Sequence, residues 1–191
     1  MGRLSTISDD AIFAAVASRL AEEGALSLQK ILDETGISVG SLYHRYGSRE
    51  GLLAQVWLDA VTEFQSQFLE ALTSGLPDAG ETAALVTPRF CRKEYARALI
   101  LTCCRPSEFL NDKTPADLQT QMKSINDPIQ AALKVFAKSE GVKLETAKMA
   151  LIGFPLGAVK LYLPHKKVPK SVDRHVVLAY RSVMHEKRDD L

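Results

Sequence analysis

Cysteines and long hydrophobic runs are scarce in this sequence. The first shortage argues against a disulfide-rich secreted protein, and the second against a membrane-spanning one. Three cysteines in 191 residues are an odd number without the spacing of a disulfide framework, which is typical of the reducing cytosol. The apolar stretches are far shorter than the roughly 20 residues of a membrane-spanning helix. Residues 1–10 have no apolar core, so we expect no signal peptide. The sequence predicts a cytoplasmic protein without a membrane partner.

An excess of charge of one sign is also missing. The formal net charge is +1 at pH 7, so bulk charge indicates neither a nucleic acid nor a membrane as partner. Residues 1–50 contain five Lys and Arg against seven Asp and Glu. Any DNA-binding surface must therefore be local, and one copy of this segment would bind phosphates weakly. The composition is that of a globular protein with one large domain or two small ones.

Motifs for catalysis and metal binding are equally scarce. The sequence has no HExxH, no C-x-x-C and no phosphate-cradling glycine loop, and its four histidines have no short ligand spacing. We predict neither an enzyme nor a cofactor nor a metal site. The adjacent Cys103 and Cys104 could sense redox state, but such residues are more often small core hydrophobes. The sequence leaves both interpretations open.

Apolar residues recur at intervals of three and four along most of the chain, which predicts an all-α fold. Residues 1–50 divide into three short helices, because serines suited to N-caps alternate with glycines suited to helix ends. About three residues separate the second helix from the third, which is helix-turn-helix spacing. The signals are Ser8, Ser27, Ser38 and Ser48 for starts, and Gly24, Gly36 and Gly47 for ends.

The third of these helices has two different faces. Leu42 and Tyr46 lie on one face at i, i+4, and polar side chains occupy the other. A helix of about two turns with one polar face fits a major groove about 12 Å wide. On this stretch alone, a surface helix with an ordinary solvated face is an equal alternative.

A wider pattern extends beyond these caps and helix ends. Its residues are Glu23, Gly24, Ser27, Ile31, Gly36, Ile37, Ser38, Gly40, Leu42, Tyr43, Tyr46, Ser48, Arg49, Glu50, Leu52 and Leu53. This pattern resembles the DNA-binding domain of the TetR family of one-component regulators, over about the first quarter to third of the chain. The sequence departs from the family pattern at Val39, where Lys is frequent, at Arg45 and Tyr46, where His and Phe are usual, and at Leu32, where a small residue is common.

This resemblance implies a helix-turn-helix domain over 1–50, joined by a long fourth helix to a helical ligand-binding and dimerisation domain over 51–191. It implies phosphate contacts from Ser27, Tyr43, His44 and Arg49. Base edges would face Ser38, Val39, Gly40, Ser41 and Arg45. For Tyr43, the alternative is a ring packed on the Leu42 side.

The resemblance also implies a regulator, most often a repressor, that binds a palindromic operator in double-stranded DNA as a homodimer. Residues 144–163 and 171–187 would form the dimer interface, unless both simply fill the monomer core. A small-molecule effector, partly apolar, would contact Phe90, Leu101, Met122 and Phe154 and release the DNA. The alternative is a helical adaptor that keeps the fold without binding DNA, which the acidic balance of 1–50 and Val39 favour.

Prolines predict the breaks in the second part of the chain. We expect a short helix from Asp78, a new helix with Pro88 in its first turn, and a loop over 105–115. Pro128 either kinks a long helix or marks its restart at Asp127. Residues 144–163 are apolar on most sides, which predicts one helix buried on several sides and kinked at Pro155.

Overall fold

The computed structural model describes residues 7–23 and 27–185, and all regular structure within these ranges is helical. The all-α prediction is confirmed. No helix of the described ranges is long and apolar enough to cross a bilayer. The helices are α1 Asp9–Glu23, α2 Leu28–Thr35, α3 Val39–Tyr46, α4 Arg49–Leu72, α5 Ala79–Lys93, α6 Tyr95–Cys103, α7 Pro106–Phe109, α8 Ala116–Ser124, α9 Asp127–Glu140, α10 Leu144–Lys148, α11 Phe154–Lys160 and α12 Ser171–His185, with a π-helical turn at Met149–Gly153.

Serine caps begin three of the first four helices as predicted. The Oγ atoms of Ser8, Ser38 and Ser48 accept hydrogen bonds from the backbone N–H groups three residues on, at 3.3, 3.1 and 2.8 Å. Each bond satisfies a donor that the first helical turn leaves unpaired. Ser27 occupies the N-cap position of α2, but its side chain makes no capping hydrogen bond.

Glycines end α2 and α3 where the sequence predicts. Gly36 and Gly47 have φ angles of 71° and 72°, in the left-handed region that costs glycine least. Gly24, the predicted end of α1, lies outside the described residues.

A buried apolar core joins α1–α3 to the start of α4. Its largest residues are 0–1% exposed, which corresponds to about 1.5–3 kcal/mol of transfer free energy for each side chain. The rings of Phe13 and Tyr46 pack with centroids 6.4 Å apart, so Tyr46 ties α3 to α1. The fully buried members are Ile12, Val16, Ile31, Leu42, Leu52 and Val56.

The chain forms two compact units. The first runs to Val61 and also contains Ala96–Lys123, whereas the second contains Thr62–Tyr95 and the described residues from Ser124 onward. The chain passes from one unit to the other within α4, after Tyr95 and after Lys123. Contacts divide the chain differently from the functional domains predicted over 1–50 and 51–191, and that functional division stays a prediction.

Prolines interrupt the second part of the chain less than predicted. Pro88 lies inside α5, so the prediction that it begins a new helix is wrong. Proline removes one backbone hydrogen bond, but most residues from Ala83 to Phe90 are buried, and packing holds the helix together. Pro106 begins the short α7 inside the predicted loop. At Pro128 the chain restarts as α9, which is one of the two alternatives.

Residues 144–160 are continuously helical, with an irregular π-helical turn directly before Pro155, where the sequence predicts a kink. They form α10, a π-helical turn and then α11, with Pro155 at the start of α11. The wider turn accommodates a proline that cannot donate a backbone hydrogen bond, as π-bulges do elsewhere. The segment is not buried on all sides, because Met149, Phe154, Leu156 and Leu161 are 50, 40, 41 and 81% exposed.

In the second unit, α12 packs against α5. A Cβ atom on Gly80 would lie 2.0 Å from the Tyr180 hydroxyl oxygen, so glycine is what permits the contact. Arg181 Nε lies 2.7 Å from Glu81 Oε2, and Arg92 Nη2 lies 2.8 Å from Asp173 Oδ2. One face of α12 is therefore committed to α5.

Candidate DNA-binding surface

The third helix presents its polar face to solvent. Leu42 and Tyr46 are 1% and 3% exposed, while Val39 and Tyr43 are 53% and 45% exposed. The ring of Tyr43 therefore does not pack into the core beside Leu42. The other outward positions predicted for DNA are also exposed: Ser38, Gly40, Ser41, His44 and Arg45.

Ser38 fixes the start of this surface. Its Oγ accepts from the Ser41 N–H and donates to Ser41 Oγ at 2.9 Å. Residues 36–40, G-I-S-V-G, match the letters of the G-x-S-x-G motif of serine hydrolases. That motif requires a turn between a strand and a helix, but here it joins α2 to α3. Ser38 is a cap and not a nucleophile.

Gly40 leaves the backbone of α3 uncovered by a side chain. A Cβ atom built on it would meet no heavy atom of the chain within 4 Å. Internal packing therefore does not require glycine at this position, and the backbone of α3 is open to close approach from outside.

Arg45 is held by the start of α1. Its Nη1 donates to the Ile7 carbonyl at 2.7 Å and lies 3.5 Å from Asp9 Oδ1. The Tyr46 hydroxyl donates to the same Asp9 oxygen. Burial and the neighbouring carboxylate of Asp9 raise the pKa of Tyr46 well above its usual value, so its hydroxyl stays a donor. The predicted base contact of Arg45 remains a prediction, but its guanidinium is not free.

The N-terminus of α4 is a second place on this unit where a phosphate could bind. Arg49 is the first residue of α4, and its Nη1 lies 3.7 Å from Glu50 Oε1 with the side chain 38% exposed. At 3.7 Å the pair is too long for a hydrogen bond, so a phosphate could displace it. Ser27 is half-buried at the start of α2. Free N–H groups at both helix starts suit anions.

A segment far along the sequence supports the α3–α4 corner, and the sequence analysis missed it. Ser48 Oγ donates to the Lys113 carbonyl at 2.8 Å. A Cβ atom on Gly51 would lie 2.0 Å from the Tyr46 carbonyl oxygen and 3.2 Å from Pro115 Cδ. We call Lys113–Pro115 the supporting loop. Gly51, a glycine in the first turn of a long helix, was the sequence signal for a close approach.

The four predicted effector contacts are divided between the two units. Phe90 is 1% exposed and packs edge-on against Phe64 in the second unit, with ring centroids 5.4 Å apart. Met122 is 8% exposed and Leu101 half-buried, both in the first unit. Phe154 lies on an exposed face. Their contact with an effector stays a prediction.

That exposed face carries a shallow apolar groove of about 280 Å³ between α11 and α12. Gly157 leaves the groove open, because it adds no side chain where a Cβ atom would meet nothing within 4 Å. Leu161 and Leu178 are 81% and 54% exposed on the same two helices. The lining residues include Phe154, Gly157, Ala158, Leu161, Val176 and Ala179.

Comparisons with known proteins agree with this geometry. Residues 14–56 match the family model "Bacterial regulatory proteins, tetR family". A stretch of 76 residues is 32% identical to the HTH-type transcriptional repressor KstR2 of Rhodococcus jostii (strain RHA1). The matched stretch covers 39% of this chain and 37% of that repressor, so the chain aligns with well under half of that relative.

Solved structures extend the likeness in fold to almost the whole chain. The TetR family transcriptional regulator PfmR from Thermus thermophilus is similar over 91% of this chain and 97% of its own, with a TM-score of 0.71 at 17% identity. A TetR family regulator from Marinobacter aquaeolei VT8 is similar over 93% of each chain, with a TM-score of 0.68 at 16% identity. The chain is therefore similar to the tetR family of bacterial regulatory proteins over residues 14–56, and it shares the fold of solved TetR family regulators over most of its length.

Proposed function

We propose that this chain is a transcriptional repressor that binds a palindromic operator as a homodimer and is released by a small molecule. The observation that carries the proposal is α3, whose apolar residues are buried while Val39 and Tyr43 remain 53% and 45% exposed. A helix held this way can enter a major groove without unfolding anything. The repressor KstR2, similar over part of its length, supports the direction of control.

The surface would make two kinds of contact with DNA, to phosphates and to base edges. Ser27, Tyr43, His44 and Arg49 would bind phosphates and fix the register, whereas the start of α3 would read base edges. Val39 offers only an apolar contact, such as one to a thymine methyl group. The base-reading residues are Ser38, Val39, Gly40, Ser41 and Arg45.

The small size of this surface indicates that the chain binds DNA as a symmetric dimer. One helix reads about three to five bases, so a dimer placing two such helices a helical turn or more apart is needed for useful affinity. A second copy of the chain is the occupant that we assign to the groove between α11 and α12. Its exposed leucines and small residues allow the self-complementary packing of a four-helix interface. Residues 186 and 187 of the predicted interface lie outside the described residues.

Release by an effector would use α4 and the supporting loop. The helix α4 runs from the α3–α4 corner into the second unit, and the Lys113 carbonyl accepts from Ser48 at the same corner. An effector that favours one arrangement of the helices near Leu101 and Met122 would shift these contacts and the two reading helices. Coupling of this kind is reciprocal and typically amounts to about 1–3 kcal/mol.

Titration of a duplex selected from a random pool tests the proposal. Replacement of Tyr43 or Arg49 by alanine is expected to weaken binding at least tenfold, by loss of phosphate contacts. Lys138→Ala, an exposed change on α9, is the matched control and is expected to bind like the parent chain. Failure of the parent chain to bind any selected duplex would favour the adaptor that keeps the fold without reading DNA, and unchanged affinity of both variants would contradict the DNA-binding surface proposed here.

A further inference from the structure

The carboxylate of Asp9 is shared between two side chains of α3. Its Oδ1 accepts from the Tyr46 hydroxyl and lies 3.5 Å from Arg45 Nη1. The Ile7 carbonyl accepts from the same Nη1 at 2.7 Å. One corner of the guanidinium is therefore anchored by α1 and by the residue two positions before it, 36 and 38 residues away in sequence.

An anchored guanidinium differs chemically from a free one. It is planar and has five N–H donors in a rigid fork, so holding Nη1 fixes the directions of Nε and Nη2. An open groove of about 450 Å³ borders Asp9, Arg45, Tyr46 and Gln55, and the guanidinium is thus not enclosed. A flexible arginine at this position could swing to any nearby phosphate, whereas an anchored one offers a defined edge.

We propose that Asp9 is a specificity-determining residue: by anchoring Arg45 it directs the free edge of the guanidinium to one base pair of each half-site. The proposal rests on the proposed DNA binding and adds a positioning residue to the same surface. Arginine recognises guanine O6 and N7 by two parallel hydrogen bonds, so guanine is the base that the arrangement favours.

The structural role of Asp9 lies in its hydrogen bond with the Tyr46 hydroxyl, and its ion pair with Arg45 adds little to that role. The side chains of Asp9 and Arg45 are 57% and 28% exposed, and ion pairs as open as this contribute little to folding. A carboxylate beside a DNA-reading helix also repels phosphates and so lowers affinity for all sequences. A residue that reduces general affinity while orienting one arginine increases discrimination between sequences.

Asp9→Asn is the central test variant, because it removes the charge but keeps an acceptor for the Tyr46 hydroxyl. The full-length chain is titrated against its selected operator, every single-base-pair variant of that operator and an unrelated duplex, at several salt concentrations. Asp9→Asn is expected to lose about fivefold or more of its discrimination at one symmetry-related pair of positions. Its affinity for the unrelated duplex should rise, with a salt dependence steeper by about one unit.

Three further variants separate anchoring from charge and packing. Arg45→Ala should lose the same base preference at the same positions as Asp9→Asn. Asp10→Asn removes the same charge from a neighbouring side chain that is 86% exposed, and should alter affinity for all duplexes alike. Tyr46→Phe removes the other partner of Asp9 and should lower thermal stability while preserving the base preferences.

The results discriminate clearly. An unchanged preference profile in Asp9→Asn, or a loss at positions different from those of Arg45→Ala, would overturn the assignment of Asp9. An equal loss in Asp10→Asn or Tyr46→Phe would also overturn it, because charge or packing would then be the cause. A parent chain that prefers no sequence would overturn the proposed DNA binding together with this assignment.

Discussion

At the scale of single residues, two glycines in or near α3 differ in the space around them. A Cβ atom on Gly51 would lie 2.0 Å from the Tyr46 carbonyl, a backbone atom, whereas one on Gly40 would meet nothing within 4 Å. Gly51 is therefore required by the fold. Gly40 is required, in our account, by the approach of DNA.

Substitution of each glycine by alanine should separate folding from binding. Gly51→Ala is expected to destabilise the chain by about 3 kcal/mol, because backbone atoms must move to admit the methyl group. Gly40→Ala should be neutral or stabilising by up to about 1 kcal/mol, yet weaken operator binding. Urea unfolding and duplex titration measure the two effects. A Gly51→Ala variant as stable as the parent would contradict the close packing.

The cysteines favour a packing role over redox sensing. Burial raises the pKa of Cys91 to about 11 and that of Cys104 to about 12, and it also raises the pKa of the half-buried Cys103. Because thiolate is the reactive form, native Cys91 and Cys104 are expected to resist a thiol reagent at pH 8 until the chain unfolds. Labelling with and without denaturant, followed by peptide mass mapping, measures this. Rapid native labelling of Cys104 would support the redox alternative.

Residue roles were predictable where their cause is local. A serine cap acts on a backbone N–H three residues away, so Ser8, Ser38 and Ser48 could be identified from spacing alone. The partners of Arg45 could not, because Ile7 and Asp9 reach it only after α1–α3 have packed. Spacing alone was not enough for Ser27, which occupies the predicted N-cap position but makes no capping hydrogen bond with its side chain.

At the scale of secondary-structure elements, two serine caps provide a matched pair. Ser38 caps α3 only, whereas Ser48 caps α4 and also donates to the Lys113 carbonyl. Ser38→Ala is expected to cost about 1 kcal/mol through the lost cap. Ser48→Ala should cost about 0.5–1 kcal/mol more, because the hydrogen bond to the Lys113 carbonyl is lost as well. Thermal unfolding compares the two, and equal costs would count against a structural role for the supporting loop.

Element boundaries were predictable where a single strong signal stands at a helix end. Gly36 and Gly47 end their helices with positive φ angles, as glycine allows. Prolines gave weaker guidance, because their effect depends on the surroundings. Pro88 is accommodated inside a well-buried α5, whereas Pro155 follows a π-helical turn. Gly51 signalled a close approach, but the segment that makes it could not be predicted, since the contacts of the supporting loop with Ser48 and Gly51 are long-range.

At the scale of the whole molecule, the exposed leucines of α11 and α12 should decide the oligomeric state. Leu161→Glu with Leu178→Glu places buried charge in the proposed interface, which is costly, so the variant is expected to be monomeric and to bind the operator weakly. Val135→Glu on α9, at a side chain 70% exposed, is the control and should remain dimeric. Light scattering at micromolar concentration measures the mass. A dimeric double variant would place the interface elsewhere.

The overall architecture was predictable because glycine stops, caps and apolar spacing agree over the first fifty residues. The domain that follows was predicted from the family resemblance, since the later helices have no motif of their own. Which apolar residues are core and which are exposed could not be read from the sequence, because Phe90 and Phe154 look alike there but are 1% and 40% exposed. That difference arises only when α5, α11 and α12 pack.

Selection of bound duplexes from a random pool by the full-length chain, at fixed physiological salt, tests the central claim most directly. The account predicts an enriched palindrome whose two half-sites are separated by about one helical turn or a multiple of it. A pool without enrichment, or with a single unsymmetrical site bound by one chain, would contradict the presentation of two α3 helices to one DNA duplex.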